Sequence, residues 1–428
     1  MRILVITPGT GSFFCGVCLR DNALVQELRR LGHRADMLPM YLPIAVDDPE
    51  SVSANQPIFF GGINVYLQHK FAFFRHTPHW LDAMFDARWL LERAAQQSGM
   101  TQGPELGRMT FDMLRGEAGH LRKEVRKLVA HIRDHERPDV IFLSTILQAG
   151  VARELRRATG VPVVGFLQGE DSFLDTLAAP WSERCWDELG VRCGEMDRLV
   201  APTRYFGDLM AGRLKLPPGK VAVVPNGMKL EVFENIVPHT GAPTIGYLAR
   251  MMPGKGLGTL VDAFLLLHRR GSVPGLKLRV AGALTPPDEP FVNGIKAKVT
   301  EAGLAEHFEL KGNITLEEKR EFFEGLSVFS VPATYGEAFG LYVVEAMAAG
   351  VPVVQPRHAS FPELIEHHDA GRLCAPNDAA SLADELEAVL TDPDQARQLG
   401  ANGRRAAFDH FTAETMATRL VEEVGQLA

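Results

Sequence analysis

Residues 1–40 read MRILVITPGTGSFFCGVCLRDNALVQELRRLGHRADMLPM, and the order of elements they imply decides the fold class. Arg2–Thr7 is a short run rich in β-branched and apolar residues, as expected of a strand buried on both faces. Pro8–Gly16 is a loop carrying Gly9, Gly11 and Gly16. From Asp21 to Leu31, apolar residues recur at Leu24, Leu28 and Leu31, one face of a helix, and Gly32 is placed to end it. Ala35–Met40 then predicts a second strand, parallel to the first. A strand, a helix and a strand in this order form a βαβ unit, the start of a doubly wound sheet.

Beyond this unit the same alternation returns. A helix is expected around Gly116–His135, a strand at Asp139–Ser144, a helix near Gln148–Thr159 and a strand at Val161–Phe166, with short strands at Leu199–Ala201 and Val221–Val224. The stretch from Leu42 to about Met113 is irregular and rich in aromatic residues between Phe59 and Trp89. Pro225-Asn226-Gly227 is a turn signal, and the chain from there to Pro243 reads as an interdomain linker. A second series follows. Strands are expected at Thr244–Leu248, Lys277–Ala281, His307–Leu310, Val328–Val331 and Val351–Gln355. Helices are expected at Leu257–Arg269, Phe291–Ala302, Leu316–Leu326, Tyr342–Ala349 and Ser381–Leu390. The pattern predicts an α/β protein of two consecutive Rossmann-like, doubly wound domains, 1–230 and 240–408, with a final helix in 409–428 packing back across the cleft.

Composition narrows the function classes. A chain of 428 residues exceeds one ordinary core. Its 45 basic and 53 acidic residues give a net charge of −8, which is no footprint for nucleic acid. No apolar run approaches the roughly 20 residues that span a bilayer. Pro8, Gly9 and Gly11 interrupt the apolar start before a signal-peptide core, so the expected location is the cytoplasm. Five scattered cysteines argue against a disulfide framework, and Cys15 with Cys18 lacks a second pair at zinc-site spacing. His69, His76 and His79 are not spaced as a metal site either. The basic residues Arg122, Lys123, Arg126, Lys127 and Arg133 suit either a peripheral contact with an anionic membrane or a solvated face diluted by Glu117, Glu124, Asp134 and Glu136.

Ligands of open parallel sheets bind beyond the carboxyl ends of the strands, so the loops there carry the functional reading. Pro8–Gly16 lets backbone approach a phosphate, or is simply a tight strand-to-helix turn. Arg250 and Lys255, with Gly254 and Gly256 beside the lysine, can clamp two phosphates whose charge grows as a leaving group departs; an ordinary solvated basic loop is the alternative. In Gly336-Glu337-Ala338-Phe339-Gly340-Leu341-Tyr342-Val343-Val344-Glu345, two carboxylates stand eight residues apart at the start of a helix. Amides at Gly340–Tyr342 would point toward an anion, and each carboxylate suits a diol. Two solvent-facing acids near a helix start would look the same.

The run Gly336–Val353 resembles the E-x7-E motif of retaining, nucleotide-sugar-dependent glycosyltransferases of family 4. Gly32-His33, Pro225-Asn226-Gly227, Gly246–Gly256, Pro362–Ile365 and Gly371–Leu373 agree with it in order and spacing. The resemblance implies the GT-B fold, two Rossmann-like domains facing across a cleft. It also implies that Arg250 and Lys255 hold the donor diphosphate, that Glu345 binds the ribose and Glu337 the transferred sugar, and that amides near Phe339, Gly340 and Leu341 meet sugar and phosphate. Gly16 would let the first loop approach the diphosphate, and the base would lie near Asn313 and Ile314. Where many family members carry a histidine thought to contact the donor sugar, this chain has Gln168, which cannot become cationic. Glu170 and Asp171 beside it are candidates for an acceptor hydroxyl, or for helix capping.

The expected function is therefore hexose transfer, with retention, from a nucleotide diphosphate sugar to an acceptor hydroxyl, a UDP-sugar being the favoured donor. No cofactor or metal is implied, since no Asp-x-Asp motif stands at a suitable strand end. A catalytically weak nucleotide-sugar-binding partner of another transferase and a nucleotide-sugar epimerase are the alternatives. The acceptor and the oligomeric state are left open.

Overall fold

The structure, a computed structural model, describes residues 1–9, 16–41, 59–60, 68, 73, 104–237 and 239–427. Most of the aromatic stretch Gly61–Trp89, the loop residues from Thr10 to Cys15, and His69, His76 and His79 lie outside the described residues. The chain divides into two compact units, Met1–Met228 with Ala413–Ala428, and Lys229–Thr412.

The first unit is built on six parallel strands: β1 (Arg2–Thr7), β2 (Arg34–Pro39), β3 (Val140–Leu143), β4 (Val163–Phe166), β5 (Arg198–Ala201) and β6 (Val221–Val223). Their spatial order is β2-β1-β3-β4-β5-β6. The register sets Val5 beside Met37 on one side and Phe142 on the other, so every residue of β3 and β4 is buried. Continuous apolar runs are what two covered faces require. The helices are α1 (Gly16–Arg30), α2 (Pro104–Arg115), α3 (Arg122–His131), α4 (Ala152–Thr159), α5 (Glu170–Leu174), α6 (Trp181–Glu195) and α7 (Arg204–Arg213). Helix α1 begins five residues before the expected Asp21 and buries Leu24 and Leu28, whereas Leu31 falls just beyond it and is 41% exposed. In α3 the buried apolar positions are Val125, Leu128 and Val129, and Lys127 turns back to the buried Glu124 at 3.2 Å.

The second unit carries β7 (Thr244–Leu248), β8 (Lys277–Gly282), β9 (Phe308–Gly312), β10 (Val328–Phe329), β11 (Val353–Pro356) and β12 (Gly371–Cys374), all parallel, in the order β12-β11-β10-β7-β8-β9. Its helices are α8 (Leu257–Arg270), α9 (Glu289–Glu301), α10 (Leu316–Glu324), α11 (Leu341–Ala348), α12 (Phe361–Ile365), α13 (Ala379–Thr391) and α14 (Pro393–His410). Lys229–Asn235, expected within a linker, is fastened to this unit. Arg320 donates to the Val232 carbonyl at 3.0 Å, Arg404 donates to the Phe233 carbonyl at 2.8 Å, and the Phe233 ring meets Phe323 edge-on at 5.6 Å.

The final helix, α15 (Ala413–Gly425), belongs to the first unit. It packs on α1, and its Met416, Ala417, Leu420 and Val424 complete the core formed by Ile3, Val5, Leu24, Leu28 and Met37. The last helix thus supplies part of the core of the first sheet. Leu420 is fully buried, so Leu420→Ala should cost the first unit about 3 kcal/mol through lost burial and a cavity. In urea melts this change should lower the midpoint of one transition and leave that of the Lys229–Thr412 unit in place.

Candidate active site

In a doubly wound sheet the crevice opens where the order of strands reverses. In the second unit that point lies between β7 and β10, so the loops leaving these two strands run side by side. Gly256 makes their approach possible: its φ is +75°, and a Cβ there would lie 1.8 Å from the Pro332 carbonyl oxygen. The Thr334 amide donates to the Gly254 carbonyl at 2.9 Å and ties the loops together.

This joint carries Lys255 to Glu337. Their Nζ–Oε2 distance is 2.6 Å, and the side chains are only 16% and 15% exposed. The Tyr342 hydroxyl donates to the same oxygen at 2.8 Å and the Tyr335 hydroxyl at 3.4 Å. Both tyrosine rings flank the ammonium, at 5.0 Å and 5.1 Å from their centroids. Three donors therefore converge on Oε2, while Oε1 has no protein partner among the described residues. Burial alone would lower the Lys255 ammonium, but the Glu337 carboxylate and Tyr335 outweigh it and hold the group above its ordinary value. Burial, reinforced by the nearby carboxylate, pushes the phenols of Tyr342 and Tyr335 up, so both remain donors at neutral pH.

Helix α11 opens at this place. Gly340, at φ +95°, forms its left-handed N-cap, with the Phe361 ring 3.3 Å from where a Cβ would stand. The Phe339 carbonyl accepts from the Ser360 hydroxyl at 2.9 Å; the Val343 amide bonds the Gly340 carbonyl at 2.9 Å, which leaves Leu341 and Tyr342 as the first amides of the helix without an intrahelical acceptor. Glu345 lies in the second turn, 8% exposed, paired with Lys319 of α10 at 2.7 Å. Neither Glu337 nor Glu345 is the solvent-facing acid that the sequence alone allowed. Arg250 is placed differently from Lys255: its guanidinium bonds Asp288 at 3.1 and 3.3 Å. Burial would raise the Asp288 carboxyl, but Thr285 and Arg250 more than offset this and hold it below its ordinary value. Asn313, at φ +54°, uses its amide to clamp both the N–H and the carbonyl of Leu284 at 3.0 and 3.1 Å, with Ile314 half-buried next to it.

In the first unit, Gly16 is the exposed first residue of α1. Gln168 follows β4, its Oε1 accepting from Asn226 at 3.4 Å and its Nε2 buried without a partner among the described residues. Glu170 is 4% exposed, and its carboxylate accepts from Thr145, Ile146, Gln168 and Gly169, at 2.6, 3.2, 2.7 and 3.1 Å. It closes its own loop, and burial holds its pKa above the ordinary value. Asp171 is half-buried, with Oδ1 unpartnered, and burial raises it also. Among the described residues no cluster of three His, Cys, Asp or Glu side chains could hold a metal ion, and no helix is long and apolar enough to cross a membrane.

The site contains groups that sequence reasoning missed: the phenols of Tyr335 and Tyr342, and the side chains of Lys319 and Asp288. A signal for the first two existed, since two of only six tyrosines flank Glu337 in the sequence. Lys319 and Asp288 come from helix starts that carry no motif of their own.

Two family models match in tandem, Glycosyltransferase Family 4 over residues 91–232 and Glycosyl transferases group 1 over residues 229–406. The chain belongs to this glycosyltransferase family. A Mycobacterium tuberculosis GDP-mannose-dependent alpha-(1-6)-phosphatidylinositol monomannoside mannosyltransferase is 30% identical over 186 residues, 42% of this chain and 46% of that protein. Glycogen synthase from the same species is 27% identical over 66% of this chain and 67% of its own length. The chain spans about half the length of the first of these curated relatives. Among solved structures, sucrose-phosphate synthase from Thermosynechococcus elongatus superposes with a TM-score of 0.72 at 20% identity, over 100% of this chain and 99% of that one. HepE from Anabaena, in complex with UDP and glucose, gives 0.68 at 17% identity over 99% of both chains. These likenesses place the fold in the GT-B class.

Removing one member of the Lys255–Glu337 pair leaves a largely buried partner unmatched, at a cost of about 3 kcal/mol. Lys255→Met and Glu337→Gln should each destabilise the second unit, and the double variant should lose about 1–3 kcal/mol less than the sum of the two. Since folding raises the Lys255 pKa, the pair's contribution is complete below the ordinary lysine value of 10.5 and is lost as pH rises above it. Urea melts of wild type and Lys255→Met between pH 8 and about 11.5 should converge at the alkaline end.

Proposed function

We propose that this chain is a retaining glycosyltransferase that moves a hexose from a nucleotide diphosphate sugar to an acceptor hydroxyl, with Lys255 and Glu337 at its centre. The observation that carries the reading is their 2.6 Å contact at the strand-order reversal of the second unit, beside the Leu341 and Tyr342 amides that open α11. Lys255 and these amides are the groups to which a departing diphosphate would transfer its charge. Arg250 joins them by exchanging its bond with Asp288 for a phosphate oxygen. Positive charge from these residues serves the leaving group without a metal. The free Oε1 of Glu337 accepts from a hydroxyl of the transferred sugar, and Glu345 accepts from the ribose. The anomeric carbon–phosphate oxygen bond breaks as the acceptor oxygen bonds to the same face. The acceptor's proton passes to the departing phosphate oxygen, so configuration is retained.

A UDP-sugar is the proposed donor, in line with the UDP and glucose bound to the Anabaena structure. A GDP-sugar is the second reading, favoured by the name of the mycobacterial mannosyltransferase, whose sequence is nearer.

Thermal melts with UDP, GDP and ADP and their sugar conjugates test the donor. At 100 times its dissociation constant the right ligand adds about 2.7 kcal/mol, and the shift should be selective for one base. A chain indifferent to every one of them is not a nucleotide-sugar transferase. With the donor known, Lys255→Ala should lower turnover by about 100-fold or more, read as release of the nucleoside diphosphate.

A further inference from the structure

Lys255 is committed to Glu337: the ammonium lies 2.6 Å from Oε2, and both side chains are largely buried. A lysine held this way has to leave its carboxylate before it can meet a phosphate. Its departure strips an enclosed anion of its nearest donor, and a buried carboxylate short of donors is costly. The ion pair alone would therefore hold the lysine back from the ligand it is placed to bind.

Two phenols stand on the same oxygen. Tyr342, in the first turn of α11, donates to Oε2 at 2.8 Å, and Tyr335, on the loop after β10, donates to it at 3.4 Å. Three donors thus share one carboxylate oxygen, which offers about two lone pairs, whereas Oε1 has no protein partner among the described residues. One donor is in excess and can leave at little cost. An arriving phosphate draws off the charged one, because a neutral phenol is the weaker partner for an anion. Burial and the Glu337 carboxylate raise both phenols, so each keeps the proton it donates. Tyr247 on β7 has no such freedom: it is fully buried, and its hydroxyl donates to the Arg250 carbonyl at 3.3 Å.

We propose that Tyr342, seconded by Tyr335, is a positioning residue that keeps Glu337 Oε2 bonded and Oε1 presented when Lys255 turns to the diphosphate of a bound nucleotide. The proposal rests on the transferase reading above and adds to it the residues that release the lysine. Tyr342 acts through Glu337 and not on the substrate.

Calorimetric titration with UDP, GDP and ADP, each beside its monophosphate, reads the second phosphate's share of affinity. That share is the monophosphate's dissociation constant divided by the diphosphate's. Lys255→Met should lower the ratio, because the second phosphate loses a cation. Tyr342→Phe keeps the ring and removes only the hydroxyl. It should lower the ratio about tenfold, since releasing Lys255 now leaves Oε2 to Tyr335 alone. Tyr335→Phe, which removes the more distant hydroxyl, should lower it by less. In Glu337→Gln no carboxylate is relinquished, and in Lys255→Met no lysine leaves one. Adding Tyr342→Phe to either should not lower the ratio further, and one of these backgrounds suffices if the other fails to fold. A packing role for Tyr342 weakens mono- and diphosphate alike and leaves the ratio in place, which overturns the proposal. The same tenfold drop in all backgrounds overturns it too, since Tyr342 then acts on phosphate without the exchange. So does a Lys255→Met ratio equal to that of wild type. If wild type binds none of the nucleotides, the transferase reading itself fails and this one falls with it.

Discussion

The reversal of strand order within each parallel sheet is the constraint from which the rest follows. A parallel sheet needs a crossover after each strand, so successive loops at the carboxyl edge diverge except where winding changes direction. In the second unit the change falls between β7 and β10, and Lys255 meets Glu337 there. In the first unit it falls between β1 and β3, and the helix after β1 delivers Arg20 and Asp21 to Ser144, directly after β3. The same topology thus gathers polar groups twice, from stretches far apart in the chain.

Holding charge at such a place is expensive, and the two units meet the cost differently. The Lys255–Glu337 pair keeps about a sixth of its surface in water and adds two phenols, so one carboxylate oxygen is saturated and the other stays open. The Arg20–Asp21 pair is wholly enclosed and spends its hydrogen bonds inside the protein. A site meant to exchange partners with a ligand needs the first arrangement, because breaking a fully buried pair would cost several kcal/mol. A scaffold needs the second. Glycine decides how closely the loops approach: at Gly256 a side chain would collide with the Pro332 carbonyl, and the joint between the two loops could not close.

Legibility from sequence followed this division. Eleven of the twelve described strands were readable because burial on both faces forces continuous apolar runs, and their boundaries shifted by only one or two residues, as at Val140–Leu143 against the expected 139–144; the edge strand β12 (Gly371–Cys374), only partly buried, was not expected. Helix α6 was not foreseen, since its buried face is written in Cys185, Leu189, Arg192 and Cys193, with Arg192 neutralised by Glu117 and Glu188. A stripe containing a buried arginine has no simple apolar period. Helix α1 was placed late because its first turns bury Arg20, Asp21 and Asn22, which read as surface residues. Among site residues, Lys255, Glu337 and Glu345 were legible because glycines and a helix start mark them. Lys319 and Asp288 were not, because their roles are set by tertiary proximity to Glu345 and Arg250 rather than by any local pattern.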